Sequence, residues 1–165
     1  MDEKKKRNLW LELGIIFISI IGLVLLVYFV IVLSFQKGEQ SISETMSIAA
    51  KIAPYISSEP TDSEIRTINQ MLRFGAHLGL FFVVGMVMTY VSMLIFRRYY
   101  RIFGVLISGV ICYQLAFYTE YYKQFVEGRH FQEIDVVLIR YGSLCGIVCM
   151  VVFYFLNRIL VKLSL

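Results

Sequence analysis

The side chains of this chain that could bind or transform a ligand collect beside its apolar segments. Residues 119–135, TEYYKQFVEGRHFQEID, separate two apolar runs and carry acidic, basic and amide groups. Arg73 and His77 stand one helical turn apart at the start of another run, and Arg140 stands inside the last. Guanidinium groups bind phosphates and carboxylates well, and neighbouring carboxylates can orient them. This chemistry defines a set of candidate ligand-binding residues: Arg73, His77, Glu120, Gln124, Arg129, Asp135 and Arg140.

Other kinds of site chemistry are poorly represented. The chain has no HExxH motif, no GxSxG motif and no glycine-rich loop that could hold a phosphate. His77 and Glu120 could act as a general acid–base pair, but the sequence places no obvious nucleophile beside them. His77, His130, Glu120 and Asp135 could ligate a metal, although their spacing is not that of a metal motif. We therefore assign no catalytic residue, no metal ligand and no cofactor from the sequence.

The elements that position these residues are apolar enough to lie in a membrane. Hydrophobic residues make up 58% of the 165 residues, only 17% are charged, and the mean hydropathy is +0.70. Soluble domains contain about 25% charged residues, and a membrane-spanning helix needs about 20 largely apolar ones. Four such runs predict spans at about residues 10–35, 74–96, 102–120 and 136–158. The sequence thus predicts an all-α membrane protein with four transmembrane helices in a single domain, residues 1–165.

Lysine and arginine residues near the ends of these spans indicate the orientation of the chain. They cluster before the first span, between the second and third, and after the fourth: Lys4, Lys5, Lys6, Arg7, Arg97, Arg98, Arg101, Arg158 and Lys162. Four spans bring these three places to one side of the membrane, and the positive-inside rule makes that side the cytoplasm. Both termini are therefore predicted to be cytoplasmic, and the connections at 36–73 and 119–135 to be outside. The net charge of +4 follows from this asymmetry and predicts no nucleic-acid partner.

The first outer connection carries signals for two helix starts. Ser41 and Glu44 have the spacing of a capping box, and apolar residues recur after them at helical intervals. We expect a short amphipathic helix over residues 41–57 that lies on the outer surface. Thr61 and Glu64 repeat the spacing, which predicts a second helix that starts just after Thr61 and continues into the second span.

Two spans contain a GxxxG pair, a pattern that lets helix backbones approach closely in lipid. The pairs are Gly75 with Gly79 and Gly142 with Gly146. They predict a close crossing of the second and fourth spans near the outer side. The same faces could alternatively bind a second copy of the chain or another membrane protein.

The segment around residue 120 resembles a motif of the VanZ-like family of small bacterial membrane proteins. Glu120 stands at the acidic position of that motif, and FVEGR at residues 125–129 takes the place of a Phe-Val-Pro-Gly-Arg-like run. Asp135 follows six residues after the arginine, as in the family. Gly142 and Gly146 fall at the positions of two family glycines.

A second stretch strengthens the resemblance. RFGAHL, residues 73–78, is similar to an Arg-Lys-x-Ala-His-Phe-like run of the family, and Gly85 also agrees. The chain departs from the family pattern at four positions: Phe74, Leu80, Lys123 and Ile139. The family has Gln at the position of Lys123, and Asn or Asp at the position of Ile139. An activity that needs those groups would be altered here. The resemblance implies a location in the bacterial cytoplasmic membrane.

The predicted topology places the candidate residues at one level of the outer leaflet. The expected function is that of an envelope protein whose polar site binds an anionic lipid, a lipid-linked wall precursor or a lipoglycopeptide. The resemblance adds a role in glycopeptide-antibiotic resistance, because the family is named for a teicoplanin-resistance protein. One alternative is a membrane-embedded enzyme that acts on a lipid head group. Another is a structural subunit of a membrane complex, in which the polar residues form an ion-pair network that locks the helices together.

Overall fold

The computed structural model describes residues 3–36, 38–57, 59–97 and 100–163. The side chains of residues 3–9 and 39–41 are also outside the description. Part of the orientation prediction therefore falls on groups that are not described, namely Arg98 and the side chains of Lys4, Lys5, Lys6 and Arg7.

The described residues form five helices and no strand, which confirms the all-α prediction. The helices are α1 (Glu3–Ser34), α2 (Gly38–Ile56), α3 (Asp62–Ile95), α4 (Arg101–Lys123) and α5 (Glu133–Leu163). Four of these, all except α2, are long and apolar enough to cross a membrane. The structure thus supports a multi-pass membrane protein, and the orientation of its ends stays a prediction.

The surface of α1 explains why this fold needs a membrane. Trp10 is 72% exposed, Phe17 65% and Leu25 61%, and of the described α1 side chains only that of Val30 is fully buried. An apolar surface of this extent is unfavourable in water and is suited to contact with lipid hydrocarbon. The first helix therefore packs only partly against the rest of the chain, and its exposed face is suited to lipid.

The long helix α3 is the centre of the bundle, because it contacts each of the other four helices. Glycines allow its contact with α5 to be close. On α5, Gly142 and Gly146 lie against the α3 backbone at Leu78 and Phe82, and on α3 Gly85 lies against the backbone of Ser143. The predicted close crossing of these helices is confirmed for the glycine pair of α5.

The glycine pair of α3 does not take part in that crossing. A Cβ atom added at Gly75 or at Gly79 would meet nothing within 4 Å, so the prediction for this pair was wrong. Residues 78, 82 and 85 share one helical face, which is the face that meets α5, and Gly75 and Gly79 lie to one side of it. The α5 pair is consequently occupied within the chain, and only the α3 pair faces open space.

Helix α2 begins earlier than predicted. It starts at Gly38, so Ser41 lies within the helix and the predicted N-cap there was wrong. Its small residues Ala49 and Ala53 are fully buried, and α3 is the helix that it contacts. Whether α2 lies on a membrane surface as an amphipathic helix stays a prediction.

The start of α3 is where the sequence placed it. Thr61 caps the helix, and its backbone N–H donates a hydrogen bond to Glu64 Oε2 over 2.7 Å. The side-chain oxygen of Thr61 accepts from the Glu64 backbone N–H in return, which completes the predicted capping box. The helix then runs without a break over 34 residues, or about 51 Å at 1.5 Å per residue.

The links α1–α2 and α4–α5 meet at one end of the bundle, which we call the α2 end. The backbone N–H of Gly38 donates to the carbonyl oxygen of Glu127 over 3.2 Å. Gly128 beside it adopts φ 73°, a left-handed conformation that favours glycine. This turn carries the chain from the end of α4 back towards the bundle, where Arg129 and α5 follow.

Candidate functional site

Three segments bring ionisable side chains together at the α2 end. Helix α3 supplies Arg73 and His77, and the last turn of α4 supplies Glu120 and Lys123. The α4–α5 link and the first turn of α5 supply Arg129 and Asp135. We call these six residues the polar cluster. Since α4 continues to Lys123, Glu120 and Lys123 lie one turn apart on the same helical face.

Lys123 is at the centre of a buried network within the polar cluster. Its ammonium forms an ion pair with Glu120 Oε1 and lies 3.9 Å from Asp135 Oδ2 and 3.4 Å from His77 Nε2. The other ring nitrogen, His77 Nδ1, lies 3.9 Å from Asp135 Oδ1. Glu120, Lys123 and Asp135 are only 0%, 4% and 3% exposed. Buried charges need partners, and this network joins α3, α4 and α5.

The two arginines of the polar cluster are in a different situation. Among the described residues, no carboxylate lies within 4.0 Å of the guanidinium of Arg73 or of Arg129. Burial lowers the pKa of Arg129 and the nearby charge of Arg73 lowers it further, whereas the charges of Glu120 and Asp135 oppose this change. The pair is therefore close enough for mutual repulsion and is not neutralised by a direct ion pair.

The arginines face cavities at the α2 end. A cavity of about 200 Å³ is lined by both arginines together with Lys123 and Asp135. A second cavity of about 150 Å³ is lined by both arginines and His77. Arg73 also borders a third cavity, of about 270 Å³. Both arginines therefore border open space at this end of the bundle.

Several buried polar atoms of this region have no hydrogen-bond partner in the described residues. They are Asn69 Oδ1, His77 Nδ1, Glu120 Oε2 and, further into the bundle, Arg140 Nε. His77, Glu120 and Asp135 can each offer one ligand atom to a metal, and these three atoms lie within 4.8 Å of one another. His130, which the sequence analysis considered with them, is not part of this group.

The structure brings together five of the seven candidate residues and leaves two apart. Gln124 is the C-cap of α4 and is exposed, outside the three cavities. The guanidinium of Arg140 lies 3.7 Å from the ring centre of Tyr113, a cation–π contact between α5 and α4. Lys123 was absent from the candidate set and is central to the site. Its spacing of three residues from Glu120 was the signal, which depended on α4 continuing for one more turn.

The comparisons with known proteins add no relative. No family model matches the chain, and no curated protein or solved structure is significantly similar to it. The VanZ-like resemblance therefore stays a prediction.

Proposed function

We propose that this chain is a multi-pass protein of the bacterial cytoplasmic membrane that binds an anionic head group through Arg73 and Arg129. With both termini in the cytoplasm, the α2 end faces the exterior and the site belongs to the outer leaflet. The ligand is then an amphiphile that carries a phosphate or carboxylate: an anionic lipid, a lipid-linked wall precursor or a lipoglycopeptide. The VanZ-like resemblance and a role in glycopeptide-antibiotic resistance are consistent with this proposal.

The proposal rests on two arginines, Arg73 and Arg129, that line shared cavities and have no carboxylate within 4.0 Å in the part of the chain that the structure describes. Two guanidinium groups near each other create a local excess of positive charge, which is costly where solvent is partly excluded. An anion between them removes the repulsion and accepts hydrogen bonds from both groups. Guanidinium is planar and can bind a phosphate or carboxylate in a bidentate manner, which makes arginine well suited to this task.

The buried network supports a second, structural role beside the binding site. Glu120, Asp135 and His77 are engaged with Lys123, so they hold α3, α4 and α5 in register and leave the arginines unpaired. Lys123 stands where the VanZ-like pattern has a glutamine, so the resemblance implies an uncharged amide at this point of the network in the family. The network therefore fixes the geometry of the site, and the two arginines bind the ligand.

The membrane setting supports an amphiphilic ligand over a soluble one. The cavities lie beside helices whose outer faces are apolar, as at Leu78 and Val137, which are 40% and 42% exposed. A head group at the arginines would place its acyl chains along such faces. A free anion such as inorganic phosphate would gain only the contacts with the arginines.

The test is lipid binding by purified protein in a neutral detergent. The protein is titrated with phosphatidylglycerol, which is anionic, and with phosphatidylcholine, which has no net charge, and bound lipid is counted by native mass spectrometry. We expect phosphatidylglycerol to be retained preferentially, and Arg73→Gln or Arg129→Gln to weaken its binding about ten- to a hundredfold. One hydrogen bond to a charged group contributes about 1.5–3 kcal/mol, and about 1.4 kcal/mol corresponds to a factor of ten.

The matched control is Arg66→Gln. Arg66 is an exposed arginine on α3, about two turns before Arg73, and it lines none of the three cavities. It should leave phosphatidylglycerol binding unchanged. Equal losses for Arg66→Gln and Arg73→Gln would mean that the preference comes from general surface charge and would reject the site. Inorganic phosphate that competes as well as the lipid would assign the site to a soluble anion.

The resistance role has its own assay. Cells that produce the protein are compared in their susceptibility to teicoplanin with cells that produce Arg129→Ala or Arg66→Ala at the same level in the membrane. We expect Arg129→Ala to remove any protection and Arg66→Ala to keep it. Protection that persists in the Arg129→Ala cells would separate resistance from this site.

A further inference from the structure

The donors His77, Glu120 and Asp135 have the composition of a transition-metal site. They come from three different helices, and one atom of each lies within 4.8 Å of the others. A tetrahedral zinc ion with ligand bonds of about 2.1 Å holds its donors about 3.4 Å apart. Side-chain rotations that shorten the largest of these separations by up to about 1.4 Å would thus complete three positions of such an ion.

A second observation indicates that Lys123 does not satisfy every donor atom of this group. Glu120 is fully buried at 0% exposure, yet its Oε2 has no hydrogen-bond partner in the described part of the chain. His77 Nδ1 is likewise buried and unpartnered. An unpaired carboxylate oxygen in a buried position costs free energy that a cation would recover.

The position of Lys123 shows that a cation is favoured at this point. Its ammonium lies beside all three donors, as an ion pair with Glu120 and at 3.4 Å and 3.9 Å from His77 and Asp135. The same side chain lines the cavity of about 200 Å³. A long flexible lysine can move its ammonium away from the three donors and leave them to another cation.

From these features we infer that His77, Glu120 and Asp135 form a binding site for a divalent transition-metal ion, for which Lys123 is the internal competitor. One imidazole nitrogen and two carboxylate oxygens suit Zn²⁺ and its near relatives better than Mg²⁺ or Ca²⁺, which prefer oxygen ligands alone. Two carboxylates balance the charge of the ion. The arginines are not ligands, so this site and the proposed anion site can fail separately.

The experiment is a metal titration of the purified full chain. Cobalt(II) serves as the probe, because its visible absorption reports a protein-bound ion, and Zn²⁺ is then added to displace it. We expect one ion per chain, and we expect His77→Ala and Glu120→Gln each to weaken binding at least tenfold. Lys123→Met removes the competitor while keeping a long apolar side chain, and it should bind the ion at least tenfold more tightly than the parent.

The matched control is Glu133→Gln, which changes an exposed carboxylate two residues from Asp135. It should bind the ion like the parent. Binding that survives both His77→Ala and Glu120→Gln would place the ion at exposed groups such as His130 and would overturn the inference. A folded Lys123→Met chain that binds the ion no more tightly than the parent would also overturn the inference. If Lys123→Met does not fold, the comparison of the parent with His77→Ala decides the matter alone.

Discussion

Replacing Gly142 with alanine puts a methyl group into the close crossing of α3 and α5. The new Cβ would lie 2.5 Å from the carbonyl oxygen of Leu78, whereas ordinary contacts of this kind are 3.4–4 Å. The α3 and α5 backbones must therefore separate by about 0.9 Å or more at this point. Overpacking of a well-packed interior costs about 1–3 kcal/mol.

The matched variant is Gly79→Ala on α3, where the added Cβ meets nothing within 4 Å. Both variants gain up to about 1 kcal/mol of helix propensity, because glycine is the poorer helix former. That gain cancels when the two are compared. We therefore expect Gly142→Ala to be less stable than Gly79→Ala by about 1–3 kcal/mol, while Gly79→Ala should equal or exceed the parent.

The assay is equilibrium unfolding in mixed micelles of a mild detergent and sodium dodecyl sulfate, followed by circular dichroism. Each protein is measured in the same detergent, so that the difference between variants is read directly. A Gly142→Ala chain as stable as Gly79→Ala would refute the crossing. A destabilised Gly79→Ala chain would instead place the α3 glycine pair in an interface between chains.

Three further predictions concern single side chains. Thr61→Ala removes the cap of α3 and should cost about 1 kcal/mol, seen as faster hydrogen exchange at the amides of residues 62–65. Glu120→Gln removes the carboxylate that is ion-paired with Lys123 and leaves Asp135, 3.9 Å away, beside the buried ammonium, so it should cost about 3–5 kcal/mol of unfolding free energy. Glu12→Gln breaks the partly exposed ion pair between Glu12 and Arg97 and should cost less than about 1 kcal/mol. Gly128→Ala strains a backbone at φ 73° by about 1–2 kcal/mol, and by displacing Arg129 it should also weaken phosphatidylglycerol binding.

Each of these has a result that would contradict it. Unchanged hydrogen exchange at the amides of residues 62–65 in Thr61→Ala would mean that packing alone stabilises the start of α3. Equal costs for Glu120→Gln and Glu12→Gln would mean that Glu120 is solvated. For the turn, Gly109→Ala is the control, since its Cβ meets nothing within 4 Å, and it should keep lipid binding where Gly128→Ala loses it.

Much of the fold was predictable because a membrane leaves few choices for the backbone. The apolar runs predicted the four long helices within a few residues at most ends, and the Thr61 cap predicted the start of α3. The start of α2 was missed because Ser41 and Glu44 carry a cap spacing inside a helix that already begins at Gly38. A capping box is a local pattern, and it does not exclude helix on its N-terminal side.

The site was only partly predictable, since it depends on which faces of the helices meet. Arg73, His77, Glu120, Arg129 and Asp135 could be grouped by their common level along the bundle. The position along the bundle could not show that Arg140 lies outside the polar cluster, where it faces Tyr113. It also could not show that the buried side chain is Lys123 and the exposed one Gln124. The same limit explains the two glycine pairs, which have identical spacing but occupy different faces of α3 and α5 relative to the crossing.

Binding of an anionic head group by Arg73 and Arg129 is tested most directly by photo-crosslinking. The probe is a phosphatidylglycerol whose head group carries the photoreactive group. The protein is illuminated in membranes, digested, and mapped by mass spectrometry. We expect adducts in residues 70–77 and 124–135, which are lost in the Arg73→Gln, Arg129→Gln double variant and kept in Arg66→Gln. Adducts spread evenly along the helices, or concentrated instead beside Arg97 and Arg101 at the opposite end of the bundle, would contradict the proposed binding.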